Sequence, residues 1–167
     1  MIASLFGTSR ALKLDQVVLE VNGVGYLVHI TAKTSTQMSI GRDYQLFTSM
    51  VVREDSMTLY GFANTEELEL FHLLHSVTGV GPKSALAVLA ELTADQIRMA
   101  VLSEDDAAFK RVSGIGPKTA RFIVLYTQPE ADVVPLDTHI LKYLAKNYPS
   151  FSVPKSTPPA GKKYKEL

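Results

Sequence analysis

VTGVGPKSALAVL (77–89) and VSGIGPKTARFIV (112–124) are two copies of one motif, and this repeat decides the fold of the second half of the chain. Corresponding residues are 35 positions apart, so that Gly79 matches Gly114 (114 − 79 = 35). Each copy places a Gly-Val/Ile-Gly turn before a segment with helical spacing, because glycine accepts the positive φ that a tight reversal needs. The sequence therefore predicts two helix-hairpin-helix units.

The chemistry of each copy suits a phosphate group. The glycine amides carry no side chain that would keep a phosphate oxygen away, and proline is well tolerated in the first turn of the following helix. The free N–H groups and the dipole of that helix favour an anion, and the adjacent lysine adds a positive charge. Such contacts hold DNA without reading its bases. The predicted DNA-binding residues are Gly79, Val80, Gly81, Lys83, Ser84, Gly114, Ile115, Gly116, Lys118, Thr119 and Arg121.

An ordinary interhelical turn is the alternative explanation for a single Gly-x-Gly. Two copies, each followed by Pro-Lys-Ser/Thr-Ala, favour the phosphate-binding interpretation. The spacing is not that of a phosphate-binding Walker loop, and no predicted strand precedes either copy as a dinucleotide-binding motif would require.

The N-terminal part of the chain has β character. Alternating and Val-rich segments separated by turn residues such as Asn22-Gly23 predict short strands, and five of them in about 60 residues predict a small barrel. Helical spacing begins near Asn64, where Asn64 or Thr65 can cap the first helix. The predicted strands include 14–21, 25–31, 44–52 and 56–62, and the predicted helices are 65–77, 82–91, 94–102, 105–111, 117–127 and 137–147.

Composition excludes several classes of site. The chain has no cysteine, which rules out disulfides and thiolate metal ligands, and its four histidines form no zinc-binding pattern. We therefore predict no metal and no cofactor. The N-terminus lacks the features of a signal peptide and no apolar run could span a membrane, so we expect a cytoplasmic protein with no membrane partner. Residues 1–108 carry 7 Lys and Arg against 13 Asp and Glu, whereas residues 109–167 carry 10 against 4, which indicates a directional electrostatic surface.

Several long motifs from residue 1 to about residue 125 resemble the RuvA family of Holliday-junction-binding subunits. They are MIASLFG (1–7), NGVGYLVHI (22–30), VVREDSMTLYGF (51–62), LFHLLHSVTGVGPKSALAVL (70–89) and RVSGIGPKTA (111–120).

This resemblance implies an α+β fold in which a five-stranded OB-fold barrel (1–63) precedes an all-α domain with two helix-hairpin-helix motifs (64–128). It implies a homotetramer that holds a four-way DNA junction open, a role in recombination, repair and the SOS response, and a RuvB-type ATPase as partner. The subunit itself would not be an enzyme but a non-catalytic part of a helicase complex.

The resemblance also gives a role to Glu54 and Asp55, which match the acidic pin of the family. Carboxylates at the centre of a junction would repel phosphates and help to part the strands. A solvated β-turn is the alternative that the residues alone would favour, and the neighbouring Arg53 could temper the repulsion or form a local ion pair.

The last part of the chain departs from this family after about residue 120. Residues 112–167 resemble endonuclease III-type DNA glycosylases, in which a lysine that matches Lys118 forms a Schiff base and an aspartate that matches Asp137 assists. The chain thus resembles a fusion of two families joined within the second hairpin. Simpler roles are a phosphate contact for Lys118 and a helix cap for Asp137.

We favour binding over lyase chemistry because the helical domain that would receive a flipped base is not recognisable before the hairpin. We expect an atypical C-terminal helix and a Pro- and Lys-rich tail over 129–167, without a recognisable RuvB-binding domain, so that coupling to the ATPase is doubtful. In a third alternative the barrel is an interaction or single-strand-binding module. Its stacking aromatics would be Tyr26, Phe47, Tyr60 and Phe62, although aromatic residues in strands more often belong to a core.

Overall fold

The computed structural model describes residues 1–127, and it begins with a closed five-stranded barrel. Around the barrel the strands follow the order β1, β2, β3, β5, β4, and only β3 and β5 are parallel. This arrangement confirms the predicted OB-like barrel. The strands are β1 (Ser4–Leu12), β2 (Gln16–Val21), β3 (Val24–His29), β4 (Asp43–Val52) and β5 (Met57–Phe62).

Alternating apolar residues fill the inside of the barrel, as the period of two along a strand requires. Val17 and Leu19 of β2 are both buried, while Val18 between them is half-buried. The other buried members of this core are Leu5, Val28, Ile30, Met38 and Leu46.

A short helix, α1 (Ala32–Thr36), lies between β3 and β4 and was not predicted. Thr31 caps it, because its hydroxyl accepts a hydrogen bond from the amide of Thr34 at 3.1 Å. With only five residues, α1 is too short to show a helical period in the sequence.

Two glycines allow the barrel to close tightly. A β-carbon added at Gly61 would lie 2.5 Å from Cγ1 of Val28, and one added at Gly7 would lie 2.3 Å from the carbonyl oxygen of Glu20. Both distances are far inside van der Waals contact, so these positions exclude any larger residue unless the barrel shifts.

The second part of the described chain is helical, and its boundaries agree closely with the predicted ones. The largest difference is at the fourth predicted helix, expected over 105–111 and observed as the four-residue α5. The predicted helix at 137–147 and the segment 129–167 lie outside the described residues. The helices are α2 (Thr65–Ser76), α3 (Pro82–Glu91), α4 (Ala94–Leu102), α5 (Ala107–Lys110) and α6 (Pro117–Tyr126).

Side-chain caps explain where two of these helices begin. The side chain of Asn64, rather than Thr65, caps α2 by accepting a hydrogen bond from the amide of Glu67 at 2.9 Å. Thr93 and Gln96 cap α4 reciprocally, each side chain bonding to the backbone amide of the other. These bonds satisfy amides that would otherwise be left without a partner at the helix start.

The barrel and the helices share one apolar core. Phe71 of α2 is fully buried, with its ring centroid 5.2 Å from that of Tyr60 and 4.9 Å from that of Phe62. Both partners belong to β5, so the last strand of the barrel contributes to the helical core as well. A boundary near residue 63 therefore divides the chain by type of element but not by packing.

Candidate nucleic-acid interface

The two hairpins have nearly identical backbones. Gly79 and Gly114 adopt φ angles of +88° and +83°, in the left-handed region that the sequence predicted for them. Gly81 and Gly116 precede the second helix of each unit with φ/ψ of −77°/166° and −78°/165°. The sequence repeat is therefore also a structural repeat.

The middle residue of each turn packs into the apolar core and fixes the position of the turn. Val80 and Ile115 are buried, and their amides donate to the carbonyl oxygens of Val77 and Val112 at 2.9 and 3.1 Å. We predicted both as DNA-binding residues, but their side chains point into the core and their amides are already bonded. They position the turn by packing.

The flanking amides are free. Within residues 1–127, the N–H groups of Gly79, Gly81, Lys83 and Ser84 form no hydrogen bond, and the first bond at the start of α3 runs from the amide of Ala85 to the carbonyl oxygen of Gly81 at 2.9 Å. The second unit repeats this arrangement, with Ala120 bonded to Gly116 at 2.9 Å. All four glycines of the turns are exposed. Each unit thus presents unpaired donors at the positive end of a helix dipole.

The two units face each other across a pseudo-twofold axis. A β-carbon added at Gly79 would lie 3.6 Å from Oγ1 of Thr119, and one added at Gly114 would lie 3.7 Å from Oγ of Ser84. Since Thr119 is the counterpart of Ser84 in the repeat, each hairpin contacts the other through the same pair of positions. Reciprocal contacts of this kind are the mark of a twofold relation. The two sets of free amides consequently lie close together.

Basic side chains surround these amides. Lys83, Lys118 and Arg121 are exposed, as a phosphate contact requires. Lys118 differs from Lys83 in that its Nζ lies 5.7 Å from the centroid of the Phe122 ring, one helical turn further along α6. Phe122 corresponds to an alanine in the first unit, so this stacking is confined to the second.

Glu54 and Asp55 are exposed at the tip of the hairpin between β4 and β5. The hairpin is closed by a hydrogen bond from the amide of Arg53 to the carbonyl oxygen of Ser56 at 2.8 Å. Neither carboxylate forms an ion pair with a described residue, so the local pair with Arg53 that we considered is not present. Asp55 accepts a hydrogen bond from the hydroxyl of Ser56 at 3.2 Å, and both carboxylates are exposed to solvent at the tip.

The residues of the lyase alternative are not brought together in the described part of the chain. Lys118 is exposed and lacks the burial that would favour a neutral, nucleophilic amine. Asp137 lies outside the described residues, as does most of the glycosylase-like segment. The single-strand alternative loses two of its four stacking candidates, because Tyr60 and Phe62 are buried in the core.

A cleft beside the first hairpin was not predicted. It has a volume of about 330 Å³ and lies between the β4–β5 hairpin and the start of α3. Its walls come from residues far apart in the sequence, so no local motif could have indicated it. The lining residues are Val51, Arg53, Ser56, Thr58, Tyr60, Gly81, Pro82 and Lys83.

A closed OB-like barrel joined to a tandem helix-hairpin-helix unit defines the class of protein. Comparison with protein families agrees with both halves: residues 1–61 match the RuvA N terminal domain, and residues 71–128 match the SAM-like helix-hairpin-helix tandem.

Similar proteins extend the match across most of the chain. The "Holliday junction branch migration complex subunit RuvA" of Nocardia farcinica (strain IFM 10152) is 46% identical over 136 residues, which cover 81% of this chain and 68% of that protein. Proteins of the same name from Clavibacter michiganensis subsp. michiganensis (strain NCPPB 382) and Clavibacter sepedonicus are 52% and 54% identical. The matches cover 78% and 75% of this chain but 64% and 58% of those two relatives. The chain belongs to the RuvA family.

Proposed function

We propose that this chain is a non-catalytic, sequence-independent DNA-binding protein that recognises four-way junctions as the RuvA-type subunit of a branch migration complex. The observation that carries the proposal is the pseudo-twofold pair of hairpins, each with unpaired amides and an exposed lysine. The names of its relatives point to the same substrate.

Two phosphates on opposite sides of one minor groove suit this pair of hairpins. Each hairpin offers exposed glycine amides, the start of a helix and one lysine, all of which favour a phosphate oxygen. None of these groups reads a base edge, so the affinity depends on salt and only weakly on sequence. The proposed contacts are made by Gly79, Gly81, Lys83, Ser84, Gly114, Gly116, Lys118, Thr119 and Arg121.

The acidic pin gives the preference for a junction over a duplex. Glu54 and Asp55 are unpaired and exposed at a hairpin tip, where they repel phosphates that approach closely. At the centre of a four-way junction this repulsion keeps the strands apart. On a plain duplex the pin has no comparable position.

A four-way junction has four arms, and a homotetramer supplies one pair of hairpins for each arm. We propose this assembly together with a cytoplasmic location, and a RuvB-type ATPase as the motor partner because the relatives are named as subunits of a branch migration complex, although residues 129–167 resemble no domain that would bind it. No described helix is long and apolar enough to cross a membrane. Sedimentation of the full chain with and without a four-way junction, followed by a pull-down with the ATPase, tests both partners. A monomer that stays monomeric on the junction contradicts the tetramer, and a failed pull-down contradicts the ATPase partner.

Fluorescence anisotropy with labelled four-way, duplex and single-stranded DNA at several salt concentrations tests the central proposal. We expect the four-way junction to bind tightest, with log K falling linearly with log salt. The variants Lys83→Gln and Lys118→Gln should each reduce the magnitude of that slope by about 1. Lys33→Gln, an exposed lysine of α1 away from the hairpins, is the matched control. Equal affinity for all three DNAs, or slopes unchanged by both hairpin variants, contradicts the proposal.

A further inference from the structure

We propose that the cleft between the β4–β5 hairpin and α3 is a third phosphate-binding site, which takes a phosphodiester group of the junction next to the one held by the first hairpin. This inference rests on the proposed DNA-binding function and adds the barrel residues Arg53 and Tyr60 to the donors of the first hairpin. The site is built jointly by the barrel and the first helix-hairpin-helix unit.

The charge of the cleft favours an anion. Arg53 and Lys83 line it from opposite elements, and neither forms an ion pair with any residue from 1 to 127. The lining contains no carboxylate. Two cations without an ion-pair partner at a small cleft favour an anion there, although the Asp55 carboxylate lies at its rim, bonded to Ser56.

Tyr60 supplies a hydrogen-bond donor that the fold leaves unused. It is 3% exposed and lines the cleft, yet its hydroxyl bonds to no described residue. Burial raises the pKa of this phenol, while the positive charge of Arg53, which lines the same cleft, acts in the opposite direction. The ring is packed in the core while the residue lines the cleft, so its hydroxyl is available to donate to an oxygen ligand held there.

The start of α3 completes the donor set. Gly81 lines the cleft, its amide is unbonded, and no atom lies within 4 Å of the place where a β-carbon would be. Thr58 adds a hydroxyl on the opposite wall, whereas the hydroxyl of Ser56 already donates to the carboxylate of Asp55 at 3.2 Å. Backbone amide, phenol, hydroxyl and guanidinium donors together match the several acceptor oxygens of a phosphate.

The second hairpin has no equivalent site. Pro82 is buried beside the barrel, whereas its counterpart Pro117 is exposed. The barrel thus covers one side of the first unit only. Because Arg53 immediately precedes Glu54 in the pin hairpin, a strand held at Gly81 and running towards the pin would pass through the cleft. Arg53 would then attract the phosphates of this strand at the position just before Glu54 and Asp55 repel them.

The assignment can be tested with the full chain and four-way junctions that carry a methylphosphonate at one chosen position of the DNA backbone. Each substitution removes the charge of one phosphate near the crossover of a synthetic four-way junction. We expect Arg53→Gln and Tyr60→Phe to weaken junction binding about tenfold each, since a hydrogen bond to a charged group is lost. One methylphosphonate position should weaken binding by the unaltered protein, yet add little in either variant.

Matched controls separate this site from the rest of the protein. Arg42→Gln and Tyr26→Phe remove the same groups from exposed or half-buried positions outside the cleft and should leave every affinity unchanged. Tyr60→Phe keeps the aromatic contacts with Phe71, so its unfolding midpoint should match that of the unaltered protein. Should Tyr60→Phe fail to fold, Arg53→Gln carries the test, because this residue is exposed.

The possible results are distinguishable. If the unaltered protein binds no DNA, the proposed function itself fails. If it binds junctions but no methylphosphonate position is coupled to Arg53 and Tyr60, only the cleft assignment fails. A titration with inorganic phosphate, followed through the amide resonances of Arg53 and Thr58, which belong to the cleft and to neither hairpin, tests whether free phosphate also binds there. A cleft that takes free phosphate without any coupled junction position overturns the assignment to DNA.

Discussion

At the scale of single residues, the sequence was most informative about the hairpin glycines. The positive φ of Gly79 and Gly114 followed from the Gly-x-Gly spacing, because a tight reversal between helices leaves few alternatives. The burial of Val80 and Ile115 was missed, since we treated the whole turn as a binding surface. A turn that presents amides outwards needs an apolar residue pointing inwards, and these two residues serve that purpose.

Gly81→Ala and Gly116→Ala should separate binding from folding. Both positions have negative φ and no atom within 4 Å of an added β-carbon, so each variant should lose less than about 1 kcal/mol of unfolding free energy. The new methyl group would nevertheless stand between the free amides and a phosphate oxygen. We expect junction affinity to fall about tenfold or more, measured by anisotropy alongside urea unfolding.

Gly23→Ala is the control for these two variants, because it replaces a glycine of a turn that lies outside the hairpins. Gly23 has a φ of +83° in the β2–β3 turn with nothing within 4 Å of an added β-carbon. This variant should lose about 1–2 kcal/mol of stability, because a left-handed backbone disfavours any β-carbon, and it should keep its DNA affinity. Hairpin variants that bind as tightly as Gly23→Ala would argue against amide contacts at these turns.

At the scale of elements, helices of nine or more residues with a periodic apolar face were easier to predict than the short helix between β3 and β4. Apolar spacing and turn residues placed α2, α3, α4 and α6 within a residue or two of their observed ends. The five-residue α1 gave no periodic signal, because its formation depends on Thr31 at its start and on the barrel packed beneath it. The sequence also left open whether Asn64 or Thr65 caps α2, and the structure shows that Asn64 does.

Asn64→Ala should destabilise the protein by about 1 kcal/mol, since the amide of Glu67 would lose the side-chain oxygen that now satisfies it. Thr65→Ala, at the next position, is the matched control because the Thr65 side chain makes no hydrogen bond in the described structure. Guanidinium unfolding monitored by circular dichroism measures both. Equal losses for the two variants would mean that the cap contributes little to stability.

At the scale of the whole molecule, the contacts between elements could not be predicted from the sequence. Nothing in the motif indicated that Gly79 would face Thr119 of the other copy, because this contact depends on how the helices pack. The same holds for the cleft, whose walls join Arg53 and Tyr60 to a helix start more than 20 positions away. Repeats, caps and alternation predict the elements, whereas their mutual placement is a property of the assembled core.

Phe71→Ala should destabilise the barrel and the helices together. Phe71 is fully buried between Tyr60 and Phe62, and the loss of a buried phenylalanine typically costs about 3–5 kcal/mol. Because β5 belongs to both the barrel and the helical core, we expect a single unfolding transition with its midpoint at a lower denaturant concentration. The chain has seven tyrosines and no tryptophan, so Tyr26→Trp in the barrel supplies a specific fluorescence signal, which should change at the same midpoint as the circular dichroism of the helices. A barrel signal that persists after the helices unfold would show two independent units.

The reciprocal contacts of Gly79 with Thr119 and of Gly114 with Ser84 also bear on strand polarity. The backbones of a duplex run antiparallel, so rotation by half a turn about a local dyad exchanges them and preserves the 5′ to 3′ sense of each. A protein surface with its own approximate half-turn can place that axis on the dyad of the DNA. Each hairpin then meets its strand with the same 5′ to 3′ polarity. The same arrangement of amides and lysine can therefore bind both strands.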